Sequence, residues 1–175
     1  MAAHRVIWIV ACALVASAQA APARAGQAAA TVVLPFDMLV EAFSPEEIPM
    51  PKPAEKKRLS VLGAEVKRML GESGRYQILD ETPLAKEIDD KSPFYKCNGC
   101  EVDIAKKLDG TLVVTGLVQK STESMLNISL YMRRVSDGEA VATVAASVME
   151  NTDEGWIRGV RRAIKSRLLN EDTPK

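Results

Sequence analysis

Two cysteines three positions apart, Cys97 and Cys100, carry the most specific chemistry in this sequence. A Cys-x-x-Cys pair can close a disulfide, exchange it with other thiols, or supply half of a zinc site. Asn98-Gly99 between them is a good turn, able to bring the two Cα atoms within bridging range, so the simplest expectation is a structural Cys97–Cys100 disulfide. The alternative is a thiol-disulfide or electron-transfer role, because a helix expected over Glu101 to Leu108 would lower the pKa of a thiol at its amino end. Against that alternative, the tryptophan before and the proline between the cysteines of a typical thioredoxin pair are absent, and no strand leads into the motif. Haem attachment needs a histidine after the second cysteine, where Glu101 stands. Zinc needs two further ligands, and only Glu101, Asp103 and other carboxylates lie nearby in the chain. No metal and no cofactor is expected.

Two charged constellations flank the question. Asp80, Glu81, Glu87, Asp89, Asp90, Glu101, Asp103 and Asp109 are close in sequence, but Lys86, Lys91, Lys96, Lys106 and Lys107 are interleaved and no EF-hand spacing occurs, which favours a solvated surface. Arg158, Arg161, Arg162, Lys165 and Arg167 gather on the last helix. Cations there offset the helix dipole, and Arg158, Arg161, Arg162 and Lys165 are also the expected partner surface.

The amino terminus restricts the chemistry further. His4 and Arg5 precede the apolar run Val6 to Val15, and Ala18-Gln19-Ala20 is a small-x-small cleavage site, so residues 1–20 (or 1–25) read as a signal peptide into the periplasm. The run is too short to span a bilayer. Cys12 in Ile9-Val10-Ala11-Cys12 offers the competing reading of a lipoprotein anchor. Cleavage after Ala20 removes His4, the sole histidine, and leaves 22 basic against 23 acidic residues. The mature chain then lacks a Ser-His-Asp or Cys-His unit, and with no phosphate-binding glycine loop either, no catalytic residue is expected. Near-neutral charge argues against nucleic acid as a partner.

The elements that must position these residues follow from periodicity. Residues 21–30 form an Ala-rich leader, 31–170 a single domain and 171–175 a tail. Thr31 to Asp37 reads as a buried strand bent by Pro35, and Ser44 to Pro53 as a loop with four prolines. Leu59, Leu62, Val66, Met69 and Leu70 recur at helical spacing up to Gly71 or Gly74, and Tyr76 to Leu79 is a short strand, which makes a parallel β-α-β unit. A short helix over Leu84 to Asp90 precedes the cysteines. Strands follow at Thr111 to Lys120, Leu126 to Arg133 and, after an Asp137-Gly138 turn, Glu139 to Met149. The last helix starts at Asn151 as its cap, with Glu154 completing a variant capping box. The order β-α-β-(α)-α-β-β-β-α implies an α/β (α+β) domain with a mixed five-stranded sheet and helices packed on it. Leu34, Phe36, Leu62, Val66, Val114, Ile128, Leu130, Val144, Trp156, Val160 and Ile164 are expected in one hydrophobic cluster.

Val32-Val33-Leu34-Pro35-Phe36-Asp37, Gly74 to Asp80 and Leu112-Val113-Val114-Thr115-Gly116 resemble periplasmic α/β domains such as the amino-terminal domain of the Tol-Pal translocation protein and the curli-secretion lipoprotein. Cys97-Asn98-Gly99-Cys100-Glu101, the Val114 to Lys120 strand and Asn151 to Trp156 resemble an uncharacterised family of exported proteobacterial proteins with a domain of unknown function, over roughly residues 31–170. That resemblance implies fold and location and transfers no catalytic residue. The expected function is a non-enzymatic periplasmic module that binds an envelope protein, with no transmembrane segment in the mature chain.

Overall fold

The computed structural model describes residues 27–41 and 50–170. The expected signal peptide, Cys12, most of the leader and of the proline loop, and the tail lie outside the described residues.

The run from Thr31 to Asp37 is two strands, β1 (Ala29–Val33) and β2 (Asp37–Val40), so the sheet has six strands where five were expected. Pro35 cannot donate to a ladder and divides them. Both pair parallel with β4 (Leu112–Lys120): Val33 lies opposite Val114 and Asp37 opposite Leu117, so three residues on one side face two on the other. That extra residue bulges the chain and lays the Phe36 ring over Gly116, where an added Cβ would come within 2.4 Å of the ring.

Helix α1 (Pro53–Glu72) begins on a proline, whose missing N–H would have had no helical partner, and leads to β3 (Tyr76–Ile78). β3 and β1 are parallel, as a β-α-β unit requires. Antiparallel pairing then joins β4 to β5 (Leu126–Arg134) and β5 to β6 (Ala140–Val148), giving the order β3-β1-β4-β5-β6.

Helices cover the sheet on both faces. α1 and α4 (Asp153–Ala163), the latter continued by a π-helical turn at Ile164–Leu168, pack on one face through Leu62, Val66, Trp156, Val160 and Ile164. α2 (Ala85–Lys91) and α3 (Cys100–Lys107) pack on the other through Ile88, Ile104 and Ala105 against Val32, Leu34 and Val113. All eleven expected core residues are buried, but in two clusters rather than one, with Leu34 on the α2/α3 side. Val32 and Val33 show why: a strand with helices on both faces is apolar at consecutive positions, so no alternation separates the two sides.

The expected cap also shifts by one residue. The N-cap of α4 is Thr152, which accepts the Gly155 N–H at 3.1 Å. Asn151 instead donates to Glu55 Oε1 at 2.8 Å and accepts from Trp156 Nε1 at 3.2 Å. Glu55 also receives buried Lys120 at 2.9 Å, so one carboxylate ties α1, β4 and the start of α4 together. Burial opposes its charge, but the Lys52 N–H at 2.7 Å, together with Lys120 and Asn151, outweighs burial and holds its pKa low. On α4, Gly159 seats against Val148, with a would-be Cβ only 2.6 Å from its methyl, so the helix lies close on β6 there.

Candidate functional site

Cys97, joined to Cys100 by the disulfide, lines a pocket of about 250 Å³ between the loop from Ser92 to Gly99, α3 and the β4/β5 ladder. Asp37, Tyr95, Cys97, Glu101, Tyr131 and Arg133 are among its walls. Cys97 and Cys100 Sγ lie at bonding distance, 1.97 Å, with their Cα atoms 5.8 Å apart. Gly99 closes the turn at φ +92°, a conformation that glycine alone adopts readily, and caps α3, so that Cys100 is the first residue of that helix.

Two buried carboxylates hold this corner. Asp37 accepts the Phe94 N–H at 2.5 Å and the Ser92 hydroxyl at 3.2 Å, clamping the cysteine loop onto β2. Burial raises its pKa, only partly offset by those donors. Glu101, in the first turn of α3, is equally enclosed. Its Oε1 faces Arg133 Nε at 3.3 Å and its Oε2 lies 3.5 Å from Cys97 Sγ.

The other charged residues go elsewhere. Asp80 caps the turn at Thr82, Glu81 pairs with Lys67, Glu87 with Lys91 and Lys107, and Asp90 with Lys86. Of the acidic group, only Glu101 joins the cysteines. The expected basic surface is on α4, on the opposite face of the sheet from the pocket. All four residues of that surface are exposed, and two of them are engaged: Arg158 pairs with Glu150 and Arg161 with Glu65, each at 2.6 Å.

Beyond the pocket the same sheet face is open. Cross-strand rows Thr115–Tyr131–Thr143, Leu117–Ser129–Ala145 and Gln119–Asn127–Ser147 run from half-buried on β4 to exposed on β6. Val141, displaced by an irregularity between Met132 and Arg133, extends this exposed edge. Sequence reasoning did not anticipate Asp37, Tyr95, Tyr131 or Arg133 here. For Asp37, Tyr131 and Arg133 the one signal was a charge or aromatic ring at an otherwise regular strand position, while Tyr95 lies in the loop before the cysteines; their convergence depends on a register that no local pattern reveals.

Residues 29–168 match the family described as "Protein of unknown function (DUF2380)". The chain belongs to that family, DUF3280. Membership bears out the likeness to a family of unknown function drawn from the segment Cys97 to Glu101. No curated protein matches this DUF3280 chain. Among solved structures it is similar to lipoprotein GNA1162 from Neisseria meningitidis, with TM-score 0.50 and 14% identity over 83% of this chain and 99% of that one. It is similar also to the PelC dodecamer from Paraburkholderia phytofirmans, with TM-score 0.50 and 8% identity over 79% and 86%. TolB from Acinetobacter baumannii aligns with 80% of this chain at 16% identity and TM-score 0.43, and 28% of TolB is covered. At such identities the likeness to GNA1162 and PelC concerns the fold alone, the mixed α/β sheet of this DUF3280 domain. No helix among the described residues is long and apolar enough to cross a membrane.

Proposed function

We propose that this domain is a non-enzymatic module of the cell envelope, exported by its amino-terminal segment, that docks a protein partner on the open half of its sheet. One observation carries the reading. α2 and α3 cover the β1/β4 side of their face, while Thr143, Ala145 and Ser147 on the edge strand β6 stay exposed. An exposed edge strand is a ready template for another chain, and most proteins blunt it with charge or proline. Residues 140–148, AVATVAASV, carry neither. The uncharged hydroxyl, amide and small apolar side chains of the three rows suit a partner surface that is itself poor in charge. A fold shared with GNA1162, a lipoprotein, supports the envelope setting.

The test is site-specific photo-crosslinking in the native host, with the probe at Thr143 or Ser147 and a comparison probe at Arg162 on α4. The expected result is one envelope protein captured from Thr143 and Ser147, in the exported fraction. Capture from Arg162 alone, or retention of the chain in the cytoplasm, would overturn the proposal.

A further inference from the structure

The corner formed by Cys97, Cys100 and Glu101 has a property that a structural disulfide does not require. One ligand atom from each of the three residues lies within 4.8 Å of the others. Cys97 and Glu101 line the pocket, and the Cys100 sulfur beside them completes a group of three ligand atoms close enough to share one ion. Sequence reasoning counted four protein ligands for zinc and found two cysteines. A site that keeps one position open for water needs only three.

We propose that, once Cys97–Cys100 is reduced, this corner binds a zinc-class divalent cation through Cys97 Sγ, Cys100 Sγ and Glu101 Oε2. A dithiol reductant attacks the bond and leaves as its own disulfide, giving two electrons and two protons to the protein sulfurs. The cation then displaces those two protons to solvent and binds two thiolates. Zinc–sulfur distances of about 2.3 Å set the sulfurs roughly 3.8 Å apart in a tetrahedron, a separation that side-chain rotation can supply while the Cα atoms stay 5.8 Å apart.

Three features of this corner suit a cation better than an empty dithiol. Cys100 opens α3, where the positive end of the helix favours thiolate. Glu101 is oriented as metal-binding carboxylates commonly are, with one oxygen held by an outer partner, Arg133 at 3.3 Å, and the other turned to the sulfurs. The charges also close: two thiolates and one carboxylate exceed a divalent cation by one negative charge, which Arg133 offsets. Asp103, also in the first turn of α3, is not part of the three-residue group.

The experiment titrates cobalt(II) into the full chain under a phosphine reductant without air, followed by displacement with zinc, while circular dichroism confirms the fold. The expected result is a thiolate-to-cobalt charge-transfer band saturating at one ion per chain in reduced protein and absent from oxidised protein. Glu101→Gln should weaken cobalt binding by about tenfold or more, since loss of even an outer partner costs that much. X-ray absorption on the zinc-loaded, reduced wild type gives a reading that needs no variant, with two sulfur and two lighter ligands expected. Absence of the charge-transfer band in folded, reduced protein would overturn the proposal. So would unchanged affinity in Glu101→Gln, or a first shell without sulfur.

Discussion

The Asp37 carboxylate accepts the backbone N–H of Phe94 across 57 positions of sequence, and this bond fixes the cysteine loop to the second strand. Its pKa is raised by burial, so the unfolded chain ionises at lower pH than the folded one. The stability Asp37 contributes is therefore full below the ordinary carboxylate value of 3.8 and is lost as pH rises through the raised one. Asp37→Asn keeps an acceptor for Phe94 without the charge. It should melt no lower than the wild type at neutral pH, whereas Asp37→Ala should cost about 1–3 kcal/mol by orphaning the Phe94 N–H. Thermal melts of the three proteins between pH 4 and 8 check both statements.

Glu65 behaves in the opposite sense. Hydrogen bonds from Arg68 and then Arg161 lower its pKa from 4.5 to about 2. The stabilisation is present above pH 4.5 and is lost as pH falls toward 2. Both arginines are about half exposed, so solvent screening holds the contribution to about 1 kcal/mol. Glu65→Gln should flatten the acid limb of a stability profile, measured by urea unfolding across that range.

Gly116→Ala should destabilise by roughly 1–3 kcal/mol, because its Cβ would meet the Phe36 ring. Phe36→Leu in the same chain should recover part of the loss. Equal melting temperatures for wild type and Gly116→Ala would contradict the seating of that ring.

Val160 and Ile164 are fully buried between α4 and the sheet. Truncating either to alanine should cost on the order of 1–5 kcal/mol, read as a lower denaturant midpoint. The double change Cys97→Ser with Cys100→Ser should act locally instead. A link over so few residues restrains little of the unfolded chain, so hydrogen exchange should rise from Ser92 to the start of α3 and stay unchanged in α4.

The legible part of this fold was its periodic part. Leu126, Ile128, Leu130 and Met132 alternate cleanly because one face of β5 joins the α1/α4 core while the other carries Asn127, Ser129, Tyr131 and Arg133, and that alternation placed the strand correctly. β2 was hidden because a proline reads as a strand end, while here it marks a bulge between two strands on the same partner. At the site, the cysteines and Glu101 could be named because they are adjacent in sequence. Arg133 could not, because it reaches Glu101 only through the β4/β5 register. The basic stripe of α4 was legible as a stripe, but not the pairing of Arg161 with Glu65 across 96 positions.

The most direct test of partner docking on the open sheet face compares two double variants in capture of the crosslinked envelope protein. Thr143→Lys with Ala145→Lys places charge on the exposed side of β6, and Arg162→Glu with Lys165→Glu reverses two exposed charges on α4 and its π-helical continuation. Both pairs are exposed, so both variants should fold. Loss of capture in the β6 variant, with capture retained in the α4 variant, is the predicted result. Retained capture in the β6 variant with loss in the α4 variant would contradict the account.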